Sequence, residues 1–222
     1  MAHAGSVGHA QCFSMRSTRS ATDAARKRNQ SIWMTRQFKS NYNNFEERQR
    51  RMHDTILCLC DLTGVMARPW VEHGYRAVLV DPQHGIDHED GAYLKLACTI
   101  EEAFDQISVL LRSGRLAFVA GFPPCTDMAV SGAQWFARKY EADHLFQAKA
   151  VSVAEQCRVI GEMSGVPYMV ENPVSVLSNV FGKPSHTFDP CDYTRFAPED
   201  NYTKKTCLWT GGDSECLLAA RT

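Results

Sequence analysis

Apolar residues in this chain gather in short continuous runs, each followed by a polar or glycine-containing stretch. Residues 55–60 (TILCLC), 76–80 (RAVLV), 116–120 (LAFVA) and 166–170 (VPYMV) are such runs. Uninterrupted apolar segments of this length predict strands covered on both faces, as in a parallel sheet. Helical signals lie between them. Residues 69–74 belong to a helix that Gly74 ends, and Thr99-Ile-Glu-Glu102 is a capping box. That box opens a helix to about Ser113, with Ala103, Phe104, Ile107, Leu110 and Leu111 on one face. A further helix is expected over 141–163, with loops over 82–92 and 121–133 and a loop running into a strand over 202–209. Strand and helix in alternation give an open, mostly parallel α/β sheet with helices on both faces. Ligands bind such sheets at the carboxyl ends of the strands. The positions that matter are therefore 61–64, Asp81, 121–126 and 171–173.

Composition adds a division of the chain. Apolar residues make up 44% and charged residues 22% of 222 residues, as in an ordinary globular protein. The net charge of −1 conceals an asymmetry. Residues 1–52 hold ten Lys/Arg and three Asp/Glu; residues 53–222 hold fourteen and twenty-two. A basic extension (1–52) thus precedes an acidic body (53–222). Residues 1–30 read as disordered, with an organellar transit peptide or a true start at Met34 or Met52 as alternatives. Residues 31–52 suit a basic helix, and the extension is a candidate for contacts with DNA phosphates. No run approaches the roughly 20 apolar residues of a membrane span, and no secretory leader is visible. The nine cysteines include no Cys-x-x-Cys pair. They read as reduced thiols of an intracellular protein, without a zinc framework.

Four strand ends carry candidate chemistry. Asp61-Leu62-Thr63-Gly64 forms a turn whose glycine lets backbone N–H groups approach a ligand. Asp81 ends the next strand about twenty residues on, where an acid commonly holds ribose hydroxyls. Turn and acid together indicate a ligand containing a nucleoside. In Gly121-Phe122-Pro123-Pro124-Cys125 two prolines stiffen the loop and aim the thiol, so Cys125 is a candidate nucleophile. Glu171, ahead of Asn172 and Pro173, is a carboxyl group in a partly buried pocket, where its pKa can rise and it can donate to a ring nitrogen. His84 and His88 lie in a loop without a third ligand and are not assigned a metal. Trp135, Phe136 and Tyr140 read first as packing aromatics and second as surfaces for stacking on bases.

In this order and spacing the motifs resemble those of the DNA cytosine-5 methyltransferases, and among them the short phage-type members. Asp61–Gly64 matches the methyl-donor motif, Asp81 and Pro82 the ribose-binding acid and its neighbour, Pro123-Pro124-Cys125 the Pro-Cys motif, and Glu171-Asn172 the Glu-Asn motif. The Pro-Pro-aromatic motif of amino-group methyltransferases is absent. The resemblance implies a Rossmann-like S-adenosylmethionine-dependent fold and no metal. The donor would be held by Asp61, Leu62, Thr63, Gly64, Asp81, Pro82 and Pro123. Cys125 would attack C6 of cytosine, Glu171 would protonate N3, Asn172 would orient the Glu171 loop and Pro124 would position Cys125. The target base would be flipped out of DNA or lie in a single strand. Lys204 and Lys205, in a Lys-Lys-Thr-x-Leu-Trp ending like that of the phage-type proteins, would contact phosphate.

The chain departs from the family at several points. Thr126 stands where glutamine is usual, Pro173 where valine is usual, and the donor motif has a single glycine. No Gln-x-Arg-x-Arg motif follows Glu171; Glu47-Arg-Gln-Arg-Arg51 precedes the first strand and is not assigned to it. Fifty-one residues follow Glu171, too few for a target-recognition domain. Recognition would then be relaxed or supplied by a partner protein. A free cytosine nucleotide or RNA as substrate, and a non-catalytic donor-binding subunit, remain the alternatives.

Overall fold

The computed structural model describes residues 53–212. The basic extension, its expected helix, Cys12 and Cys216 lie outside the described residues. Eight strands form one sheet: β1 (Thr55–Leu59), β2 (Arg76–Val80), β3 (His88–Asp90), β4 (Tyr93–Leu96), β5 (Leu116–Gly121), β6 (Tyr168–Pro173), β7 (His186–Phe188) and β8 (Thr206–Gly211). Their order is β3-β4-β2-β1-β5-β6-β8-β7. Strands β4, β2, β1, β5 and β6 run parallel, while β3 and β8 run antiparallel to their neighbours. The helices are α1 (Arg68–Glu72), α2 (Phe104–Arg112), α3 (Phe136–Ala142), α4 (Phe146–Ser164) and α5 (Leu177–Val180). The chain is thus α/β with a mostly parallel sheet, compatible with a Rossmann-like architecture. No helix among the described residues is long and apolar enough to cross a membrane.

Each central strand is apolar on both faces because each face meets its own layer. Leu57, Leu59, Val80, Val119 and Val170 pack with Ile107 of α2 and with Cys157 and Ile160 of α4. Their alternates Ile56, Cys58, Leu79, Phe118 and Ala120 pack with Ala67, Trp70 and Val71 on the other side. Trp70 stacks on Phe118 with ring centroids 5.3 Å apart and meets Tyr75 edge-on. A third cluster (Met128, Ala154, Leu177, Cys207 and Trp209) lies beneath the later loops. Cys58, Cys157 and Cys207 are buried free thiols and serve as small core residues.

Several expectations need correction. The helix over 141–163 is two helices, broken at Asp143. Its extended backbone (φ −150°, ψ 104°) frees the carboxylate to accept the Leu145 N–H at 2.9 Å and to pair with Lys149 at 2.6 Å. Side-chain bonding of this kind competes with helix propagation. The strand over 166–170 lies two residues later, at Tyr168–Pro173, because β8 pairs with it as far as Pro173↔Thr206. Glu171 and Asn172 are therefore inside a strand, not beyond its end. The loop over 82–92 contains the 3-10 turn Pro82–His84 and the exposed strand β3. A 3-10 turn, Val130–Trp135, likewise enters the loop over 121–133. The capping box forms, with the Thr99 N–H on Glu102 Oε2 at 2.9 Å and the Glu102 N–H on Thr99 Oγ1 at 3.2 Å. Phe104 of the expected apolar face is nonetheless half-exposed.

Gly64 has a part in this framework. Its φ is +68°, and a Cβ there would sit 2.8 Å from Leu79 Cδ1 and 3.4 Å from Tyr93 Cε1. Gly64→Ala combines a left-handed backbone with overpacking of a fully buried leucine. The expected cost is about 2–4 kcal/mol. Thermal unfolding followed by circular dichroism should show a melting temperature lower by roughly 5–15 °C. An unchanged melting temperature would contradict this packing.

Candidate functional site

The strand order reverses between β1 and β5, since the chain moves outward from β1 in one direction through β2 and in the other through β5. Beyond the carboxyl ends of two such strands lies the crevice in which open α/β sheets bind ligands. A cleft of about 590 Å³ opens there. Asp61, Leu62, Thr63, Asp81 and Pro124 line it. Gly64, Pro82 and Pro123, expected in the donor site, are not part of the lining. Gly64 packs against Leu79 and Tyr93, and its N–H is engaged by Asp61. Pro82 opens the 3-10 turn, and Pro123 is buried. Cys60, Val65, Met66, Gln83 and Phe122 complete the lining and were not foreseen. Cys60 left no signal in its apolar run, yet its φ is +58°, a left-handed conformation uncommon outside glycine.

The Asp61 carboxylate is divided between two tasks. Oδ1 accepts the Thr63 N–H (3.0 Å), the Thr63 hydroxyl (3.2 Å) and the Gly64 N–H (2.8 Å), which closes the turn. Oδ2 is buried and has no hydrogen-bond partner among the described residues, in a side chain only 7% exposed. A buried acceptor without a partner is expensive, so this oxygen suits a donor brought by a ligand. Asp81 is likewise buried at 6% exposure, and its Oδ1 accepts the Gln83 N–H at 2.8 Å. The cleft thus presents two carboxylates and the apolar side chains of Leu62, Val65, Met66 and Phe122.

Across β5 the loop bearing Cys125 is bonded to the segment around Asn172. Asn172 is fully buried, and its Nδ2 donates to the Pro123 carbonyl at 3.0 Å, while its Oδ1 has no partner among the described residues. Val130 N–H bonds the Val174 carbonyl and Val176 N–H the Met128 carbonyl, each at 3.0 Å. Cys125 is half-buried, and its carbonyl accepts the Met128 and Ala129 N–H groups at 2.9 and 2.8 Å. Lys139 fixes the following residues by donating to the Thr126 carbonyl (2.9 Å) and to Asp127 Oδ1 (2.6 Å). Gly121 lets α4 approach: a Cβ there would lie 2.6 Å from Cys157 Cβ. Pro124 lies exposed at the cleft, next to Cys125.

Glu171 is half-buried and lies one residue beyond the Gly121↔Val170 pair, opposite Leu208 of β8. Burial pushes its carboxyl pKa above the ordinary value, and the Lys204 ammonium partly offsets this. Lys204 and Lys205 are exposed just ahead of β8. Replacing Lys204 by glutamine removes the opposing charge, so the Glu171 carboxyl should titrate at higher pH. Carbon-13 NMR of the carboxyl through a pH series measures this. A downward or absent shift would mean the ammonium does not face Glu171.

The structure thus ties the loop of Pro124 and Cys125 to β6, which carries Glu171 and Asn172, and Pro124 also lines the cleft holding Asp61 and Asp81. Among the described residues no group of three or more His, Cys, Asp or Glu is placed to hold a metal ion. Compared with protein-family models and with curated proteins, the chain matches none.

Proposed function

We propose that this protein transfers a methyl group from S-adenosylmethionine to C5 of a cytosine base in DNA, through a covalent bond between Cys125 Sγ and C6. One observation carries the reading. The rigid Pro-Pro-Cys loop and the Glu171-Asn172 strand are hydrogen-bonded together beside a cleft whose carboxylates suit a nucleoside bearing a cation. The residues fit such a donor. Asp61 Oδ2 would take its ammonium group and Asp81 its ribose hydroxyls, while Leu62, Val65, Met66 and Phe122 shield its base. The cleft of about 590 Å³ falls within the range of roughly 300–1,000 Å³ common for small-molecule sites. When bound, the donor supplies an electrophilic methyl group.

The chain's own groups supply the rest. The Cys125 thiolate forms a bond to C6, and the C5=C6 electron pair moves to C5. Glu171, its pKa raised by burial, gives a proton to N3 and so stabilises the adduct. C5 then takes the methyl group, and the electron pair of the broken methyl–sulfur bond stays on the donor's sulfur as a neutral thioether. Water removes the C5 proton, the S–C6 bond breaks, Cys125 leaves as the thiolate, and N3 returns its proton to Glu171. Asn172 acts on position: its bond to the Pro123 carbonyl fixes the loop two residues ahead of the nucleophile. A base stacked in a duplex is out of reach of Cys125, so the cytosine must be flipped or unpaired.

Incubation with methyl-labelled donor and unmethylated phage DNA, followed by digestion to nucleosides, tests the reading. Label in 5-methylcytosine is the expected result. Measurable donor binding without label in any nucleoside, on single- or double-stranded DNA, would overturn it.

A further inference from the structure

We infer that Cys60 and Cys157 form a reversible disulfide site at the wall of the cleft, closed by a peroxide and opened by a thiol. The inference stands apart from the methyl-transfer reading, because neither thiol takes part in that chemistry.

The backbone turns Cys60 towards Cys157. Strand β1 alternates: Leu57 and Leu59 pack on the side of α4, Ile56 and Cys58 on the side of α1. Continued alternation would put Cys60 on the same side as Cys58. Instead Cys60 packs on the cluster that holds Leu57, Leu59 and Cys157. Its φ of +58° is the one left-handed conformation of a non-glycine residue among the described residues, and such backbone persists only where the surroundings hold it. Gly121 brings Cys157 to meet it. Gly121 pairs with Leu59, the neighbour of Cys60, and neighbouring strands lie about 4.8 Å apart. A Cβ on Gly121 would sit 2.6 Å from Cys157 Cβ and 3.0 Å from its Sγ, so the missing side chain leaves the place that the Cys157 thiol fills. The two thiols are hydrogen-bonded, and this bond together with burial holds the Cys157 pKa well above its ordinary value.

Exposure divides the roles. Cys60 is half-buried and lines the cleft, whereas Cys157 is only 1% exposed. A small oxidant such as hydrogen peroxide meets Cys60 first. The Cys60 thiol gives its proton to solvent, and its sulfur bonds one peroxide oxygen as the O–O bond breaks. The other oxygen leaves as hydroxide and takes a proton to become water. The sulfenic acid on Cys60 then meets the Cys157 thiol. A sulfur–sulfur bond forms, the S–O bond breaks, and the Cys157 proton departs with that oxygen as a second water. Two thiols have lost two electrons and two protons, and one peroxide has become two waters. The bond takes a thiol out of the cleft wall and ties the end of β1, just ahead of Asp61, to α4. Other cysteines are worse placed for it. Cys58 faces the opposite layer, and Cys98 follows β4, which β2 separates from β1.

Peptide mapping of the full chain after treatment with hydrogen peroxide tests the site, with remaining thiols alkylated under denaturing conditions and no reductant present. Trypsin releases Cys157 within residues 150–158, which contain no other cysteine. This peptide should be found joined to the one that holds Cys60, at the sum of the two masses less two hydrogens. Fragment ions should place the bridge on Cys60 rather than on Cys58 of the same peptide. Dithiothreitol should release both peptides with free thiols. Cys60→Ser should abolish the joined species, and Cys58→Ala should keep it. The wild-type map needs no substitution, so a variant that fails to fold leaves the test standing. Cys125→Ser should form the bridge as the wild type does, which separates the two readings. A bridge in a protein that methylates nothing removes the enzyme and leaves the disulfide site. Methyl transfer without any bridge removes the disulfide site and leaves the enzyme. Cys157 still fully alkylated while Cys60 passes on to sulfinic acid, or Cys157 joined to any other cysteine, would overturn the inference.

Discussion

Cys125→Ser should abolish methyl transfer while leaving the fold and donor binding intact. The side chain is half-buried, and the hydrogen bonds given to this residue run through its carbonyl, to Met128 and Ala129. Serine keeps that backbone turn and nearly the same volume. What it removes is the nucleophile: a hydroxyl is scarcely ionised at neutral pH, and no side chain shown beside it acts as its base. Loss of a nucleophile in a covalent mechanism typically costs several orders of magnitude in turnover, so a decrease of at least about 10³-fold is expected. The covalent intermediate gives a second readout. Wild-type protein should form a denaturant-resistant adduct with DNA containing 5-fluorocytosine, and the variant should form none. An adduct with the serine variant would place the nucleophile elsewhere.

Asn172→Asp should strongly destabilise the fold at neutral pH. Asn172 has no exposed surface, and its Nδ2 donates to the Pro123 carbonyl. The substitution exchanges that donor for a carboxylate oxygen about 3.0 Å from a carbonyl oxygen. An uncompensated buried charge of this kind costs about 3–5 kcal/mol, a large part of the usual stability of a domain. The sign of the pH dependence follows. Burial disfavours the ionised form, so the folded-state pKa of the introduced carboxyl lies above its unfolded value. Destabilisation is then complete above the folded pKa and fades as pH falls toward the unfolded value of about 3.9. Once protonated, the carboxyl can donate to Pro123 again. Urea midpoints for the variant should therefore approach those of the wild type as pH falls from 8 to 5. A deficit that is constant over this range would show that the carboxyl escapes to solvent.

Much of this arrangement was legible because it depends on local pattern. The runs that became β1, β2 and β5 are apolar apart from Thr55 and Arg76 at their starts, and burial on both faces requires that. Asp81 and Cys125 stand just past β2 and β5, as the apolar runs that end before them indicate. What stayed hidden depends on distant partners or on short polar elements. Strand β3 (His-Glu-Asp) is exposed along its length and has no apolar signature. Strand β6 reaches Pro173 only because Thr206, far along the chain, pairs with it. The part Gly64 plays is set by Leu79 and Tyr93, which its own neighbourhood does not reveal. Asp143 breaks a helix through its side chain, a competition that apolar periodicity does not register.

The pairing of β6 with β8 also bears on when the surroundings of Glu171 are completed. Glu171 lies between β5, synthesised well before it, and β8, which leaves the ribosome only after residues 206–211 are made. Until then one side of β6 is an open edge, and the Glu171 carboxyl is wetter than in the finished sheet. Strands β1 to β5, helices α1 to α4 and the residues that line the cleft lie within 53–164, whereas α5 and the Asn172, Val174 and Val176 bonds to the Cys125 loop come later. A nascent chain halted before residue 206 would thus hold Cys125 and Asp81 with Glu171 less buried than in the finished sheet. Residues 206–211 thus complete the surroundings of Glu171, and a chain cut before them should keep the cleft and lose the burial of that carboxyl.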